Sequence, residues 1–91
     1  MKSFNQLSEQ EINNCICGTG ITANLVKKIV VESKSLVKDN FIDTELFSAV
    51  YTNHLSQIVP ESQRSNADWA CGYVTADNLN ELMNRRVDHE N

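Results

Sequence analysis

The hydrophobic positions of this chain recur at helical spacing and nowhere alternate convincingly over the length of a strand, which predicts an all-α fold. The clearest repeat runs from Ile21 to Lys38. Ile21, Leu25, Val26, Ile29, Val30, Leu36 and Val37 fall there on one broad face of a helix. Lys27, Lys34 and Lys38, at spacings of seven and four, stack in a basic stripe on the opposite face, with Val31 as its only large apolar member.

The flanking segments carry their own helix signals. Ser8 and Glu11 have the spacing of a capping box, and Leu7 and Ile12 occupy the hydrophobic staple positions, so a helix starts at about Glu9 with Ile12, Cys15 and Ile16 inward. Gly18 and Gly20 turn the chain, and Thr22 caps the long helix, which stops at Asp39 and Asn40. Asp43 caps a third helix whose apolar face is Leu46, Phe47, Val50, Tyr51, His54 and Ile58, and Pro60 ends it at Val59. A polar loop over 60–66 leads to a short helix with Trp69 and Tyr73 on one face, weakened by Gly72. Thr75 caps a last helix with Leu79, Leu82, Met83 and Arg86 inward. The expected architecture is a small compact bundle of four to five helices, at about 9–17, 22–38, 44–59, 67–73 and 76–87. It forms a single domain over 1–91, with frayed ends at about 1–6 and 88–91.

Charge sharpens the picture of the long helix. The whole chain of 91 residues carries −4, whereas Ile21 to Lys38 carries +3, leaving −7 for the remainder. Such a balance opposes general attraction to nucleic acid or anionic membrane and leaves a local basic stripe to act against the average. The odd number of cysteines, three, with no signal peptide and no apolar run near the length of a membrane span, predicts a reducing, cytoplasmic setting with the thiols unbridged.

Chemistry is sparse. A metal site would have to join Cys15 and Cys17 to Cys71 and to His54 or His89, but a single residue between paired cysteines is poor zinc spacing, so no metal is expected. Gly18, Thr19 and Gly20 lack the following Lys-Ser or Lys-Thr of a phosphate loop. His54 reads as a hydrogen-bonded member of an apolar face, and no spacing places it against a cysteine nucleophile. The expectation is therefore no enzyme and no cofactor.

Two binding readings remain. Residues 20–28, with Gly20, Ile21 and Thr22 before Val26 and Ile29, resemble the middle of a helix-turn-helix motif; the segment 12–34 would form the unit. The resemblance implies a DNA-binding regulator in which Asn24, Lys27, Lys28 and Val31 face a major groove. The chain departs from that motif at Ile16, where a small residue usually lets the two helices approach. The reading preferred on charge is a small non-enzymatic cytoplasmic protein that binds and regulates, chiefly by inhibition, another protein bearing an acidic patch. Its contact residues would be Asn24, Lys27, Lys28, Val31, Lys34 and Lys38, with Trp69 and Tyr73 as a second contact. A homodimer is compatible with this size, no membrane association is expected, and the Asn- and Ile-rich composition is compatible with a phage or mobile-element origin.

Overall fold

Four α-helices and one two-stranded hairpin build the described part of the molecule. The computed structural model describes residues 2–17, 21–58 and 66–84, of which 34, 58 and 66–69 enter as backbone only. In chain order these are a 3-10 turn at Phe4–Gln6, α1 at Glu9–Cys15, α2 at Ala23–Glu32 and a 3-10 turn at Lys34–Leu36. They are followed by β1 at Val37–Lys38, β2 at Phe41–Ile42, α3 at Thr44–Ile58 and α4 at Asn66–Met83. The fold is an all-α bundle of small size, with α3 and α4 as its most extensive packing pair.

Local chemistry explains most of the helix starts. The Ser8 N–H donates to Glu11 Oε1 at 2.8 Å, and the Glu11 N–H returns a bond to Ser8 Oγ at 3.1 Å, closing the capping box. Leu7 and Ile12 beside it are both buried. Thr22 Oγ1 accepts from the Leu25 N–H at 3.3 Å and Asp43 Oδ1 from the Leu46 N–H at 3.0 Å, so both expected caps form. Helix α1 ends at Cys15 rather than Cys17, because Ile16 turns to an extended conformation at φ −73°, ψ 131°.

The long helix is shorter than its hydrophobic repeat. Helix α2 stops at Glu32, where Ser33 takes φ −119°, ψ 91°, and the chain continues through the 3-10 turn into an antiparallel hairpin pairing Val37 with Ile42 and Lys38 with Phe41. Asp39 and Asn40 form the two-residue loop with φ of 54° and 60°. Positive φ at both central residues is what a tight hairpin turn matching strand twist requires, and Asp and Asn tolerate it better than other side chains. Leu36 is still buried and Val37 half-buried, so the inward pattern survives the change of backbone.

Two expected C-terminal helices are one. Gly72 and Thr75 both lie inside α4. A Cβ at Gly72 would come within 2.9 Å of Ser48 Cα, so the glycine lets α3 and α4 approach closely instead of dividing the helix. Thr75 is fully buried, and its Oγ1 accepts the Cys17 N–H at 3.2 Å rather than capping a helix. Cys71, Thr75, Ala76, Leu79, Asn80 and Met83 form the buried face of α4, recurring at helical spacing.

The N-terminal segment from Lys2 packs onto the bundle. Phe4 is buried, the Lys2 N–H donates to Met83 O at 3.0 Å, and Asn40 Nδ2 donates to Lys2 O at 3.0 Å. The Pro60 stop, the loop over 60–65, the glycines at 18 and 20, and Arg85, Arg86 and His89 lie outside the described residues. Phe4, Ile12, Val26, Ile29, Leu36, Ile42, Phe47, Tyr51, Leu79 and Met83 lie in one hydrophobic cluster. Leu55 of α3, at 4 % exposure, belongs to it as well, beside the face expected from Phe47 and Tyr51.

Candidate functional site

Helix α2 buries Ala23, Val26 and Ile29 and therefore turns the opposite face outward. Asn24 and Lys28 are exposed, and Val31 is 70 % exposed, the highest value among the large hydrophobic side chains described. Val31 is also where two grooves meet. One, of about 430 Å³, lies between the N-terminal segment and the hairpin, with Phe4, Val30, Val31 and Val37 as its apolar wall and Asp39 at its end. The other, of about 220 Å³, is formed by Phe4, Asn5, Leu7, Lys27 and Val31.

The basic stripe does not survive as one helical face. Lys34 and Lys38 stand beyond the end of α2, Lys34 in the 3-10 turn and Lys38 in β1. The side chain of Lys34 lies outside the described residues. Lys38 is exposed beside a different groove, of about 600 Å³, shared with Asp39, Phe41, Asp43 and Glu45, so its surroundings are acidic. Lys27 remains on α2 but its Nζ sits 3.9 Å from Glu9 Oε2 of α1, an exposed ion pair of small energetic weight. Lys28 is thus the exposed cation of the helix face, with Asn24 and Val31 for company.

Sequence reasoning missed Phe41, 53 % exposed at the hairpin tip, and Phe4, which contributes to both grooves at Val31. The signal for Phe41 was Asp39-Asn40 between Val37-Lys38 and Phe41-Ile42, a strand–turn–strand pattern too short to register as alternation. On α4, Tyr73 and Val74 are exposed at 47 % and 41 %, whereas the Trp69 side chain lies outside the described residues. Of the pair expected as a second contact, Trp69 and Tyr73, the described side chain is that of Tyr73, with the exposed Val74 beside it.

The segment 12–34 of the helix-turn-helix resemblance is covered only in part by the described residues. Helices α1 and α2 pack together, but the turn over 18–20 lies outside the described residues. Asn24, Lys28 and Val31 do point to solvent, while Glu9 occupies the neighbourhood of Lys27 with a carboxylate that would repel a phosphate.

His54 is half-buried at the edge of the α3 face, with Nε2 3.7 Å from Glu32 Oε1, a contact that becomes an ion pair only when the imidazole is protonated. Cys17 Sγ lies 2.7 Å from Cys71 Sγ. Among the described residues, no group of three or more His, Cys, Asp or Glu side chains could hold a metal ion, and no helix is long and apolar enough to cross a membrane. Comparison with protein-family models, with curated proteins and with solved structures found no match to this chain.

Proposed function

We propose that this chain is a non-enzymatic cytoplasmic protein that binds another protein through the outward face of α2 and regulates it, most simply by occluding a functional surface. The observation that carries this reading is Val31, 70 % exposed at the junction of two grooves. Leaving such a side chain in water forgoes on the order of 1.5 kcal/mol or more of burial energy, which a partner's apolar side chain would recover on docking. Asn24 and Lys28 flank it and supply the polar contacts that fix orientation, with Lys28 meeting a partner carboxylate. Lys38 and Phe41 belong to a separate, more acidic groove and would add contacts only to a partner large enough to reach around the hairpin.

DNA is disfavoured by the Glu9 carboxylate beside Lys27 and by the net charge of −4. The test is capture from source-cell lysate by the tagged protein and by its Val31→Asp variant, each with and without nuclease. The expected result is one protein captured stoichiometrically by the wild type and lost with Val31→Asp. The exposed substitution should change unfolding free energy by no more than about 0.5 kcal/mol. Capture unaffected by Val31→Asp would remove this face from the proposal. Nucleic acid retained without nuclease, and released by it, would transfer the face to the DNA-binding reading.

A further inference from the structure

A second feature of the molecule, independent of the α2 face, concerns the end of α1. Cys17 is held by three contacts, two from α4 and one from Tyr51 of α3. Its N–H donates to Thr75 Oγ1 at 3.2 Å, its carbonyl accepts from the Tyr51 hydroxyl at 3.0 Å, and its Sγ lies 2.7 Å from Cys71 Sγ. Thr75 stands one helical turn beyond Cys71, so a single stripe of α4 receives both the backbone and the thiol of Cys17. Asn78 on the same helix donates through Nδ2 to the Cys15 carbonyl at 3.0 Å. The polar groups around the end of α1 are thus pinned before any bond forms between the sulfurs.

We propose that Cys17 and Cys71 are an oxidisable dithiol, a modification site at which the chain closes reversibly to an intrachain disulfide. A disulfide needs the sulfurs at about 2.05 Å, a displacement of about 0.7 Å from their present separation. The oxidant is a low-molecular-weight disulfide of the glutathione class. Cys17 is half-buried and Cys71 buried, so the more accessible Cys17 thiolate attacks first. One sulfur of the oxidant bonds to Cys17 Sγ while the other leaves as a thiolate and takes up a proton. The Cys71 thiolate then attacks Cys17 Sγ and expels the second oxidant thiolate, which is protonated in turn. Two electrons pass from the pair to the oxidant, giving one protein disulfide and two small thiols. The new bond joins residues 54 apart in sequence, fixing the end of α1 to α4 and closing a long loop in the unfolded chain.

The experiment equilibrates the full chain with graded mixtures of glutathione and glutathione disulfide in the presence of a chelator, then quenches with acid and alkylates the remaining thiols. Tryptic fragments are read by mass spectrometry, with fragment ions on either side of Ile16 separating Cys15 from Cys17. The expected product is monomeric, two hydrogens lighter, cross-linked between positions 17 and 71, and alkylated at Cys15. Its Tm should rise by about 10 °C and return on addition of dithiothreitol. Cys71→Ser should stop the reaction at a glutathione adduct on Cys17. Should that buried substitution unfold the chain, Cys17→Ser should leave Cys71 without a cross-link. A stable glutathione adduct on Cys17 of the wild type, a bridge to Cys15, or a disulfide between chains would overturn the assignment.

Discussion

Asn80 attaches the hairpin to α4 through one side chain. Its Oδ1 accepts the Ile42 N–H at 2.7 Å and its Nδ2 donates to the Ile42 carbonyl at 3.0 Å, both buried. The amide therefore stands in for a third strand, satisfying two backbone groups that would otherwise be desolvated without partners. Asn80→Ala is expected to cost about 2–4 kcal/mol in urea unfolding, well beyond the loss of one exposed hydrogen bond. An unchanged midpoint would mean that water replaces the amide. Glu11 gives a milder, pH-dependent effect. The Lys2 ammonium, at 2.8 Å, and then the Ser8 backbone N–H hold its carboxyl below the ordinary value of 4.5. Because the folded value is depressed, the contribution is complete above pH 4.5 and is lost as pH falls through the folded value. Glu11→Gln keeps an acceptor for Ser8 and removes the charge. The stability gap between wild type and Glu11→Gln should therefore be widest near neutral pH and close in acid.

The helices show where local sequence and tertiary context compete. Gly72 has the low helix propensity that suggests a break, and α4 runs through it because Ser48 packs where a Cβ would stand. Gly72→Ala should therefore destabilise the protein, by about 1–3 kcal/mol in thermal or urea unfolding, although alanine is the better helix former by about 1 kcal/mol. A stabilised variant would mean that α3 and α4 move apart without loss. Caps were legible because they are local: Ser8, Thr22 and Asp43 act within three residues of themselves. The end of α2 was not, because the apolar spacing from Ile29 to Val37 suits a helix, while the break is fixed by Asp39, Asn40 and the distant Asn80. Thr75 misled for the same reason: a threonine before Ala76 looks like a cap until Cys17, 58 positions away, supplies its hydrogen-bond donor.

At the scale of the molecule, the hairpin turn joins the beginning of the described chain to its end. Lys2 bonds to Met83, Asn40 to Lys2, and Asn84 Nδ2 to the Asn40 carbonyl at 3.2 Å, so the N-terminal segment is held across the bundle. That placement brings Phe4 beside Val31 and makes the grooves, a juxtaposition no periodicity along the chain could reveal. Of the six residues expected to make one basic surface, the fold keeps Asn24, Lys28 and Val31 outward together, sets Lys27 beside Glu9, places Lys34 in the 3-10 turn beyond α2 and moves Lys38 to another groove. The central claim is that partner recognition is focused at Val31. The most direct measurement replaces position 31, 57 or 73 in turn with the photo-reactive amino acid benzoylphenylalanine, irradiates source cells and resolves the adducts by mass. All three positions are described, and Gln57 on α3 serves as an exposed control. A discrete protein adduct from position 31, absent at 57 and weak at 73, is the predicted result. Adducts from 73 alone, equal labelling at all three positions, or nucleic acid attached at 31 would contradict it.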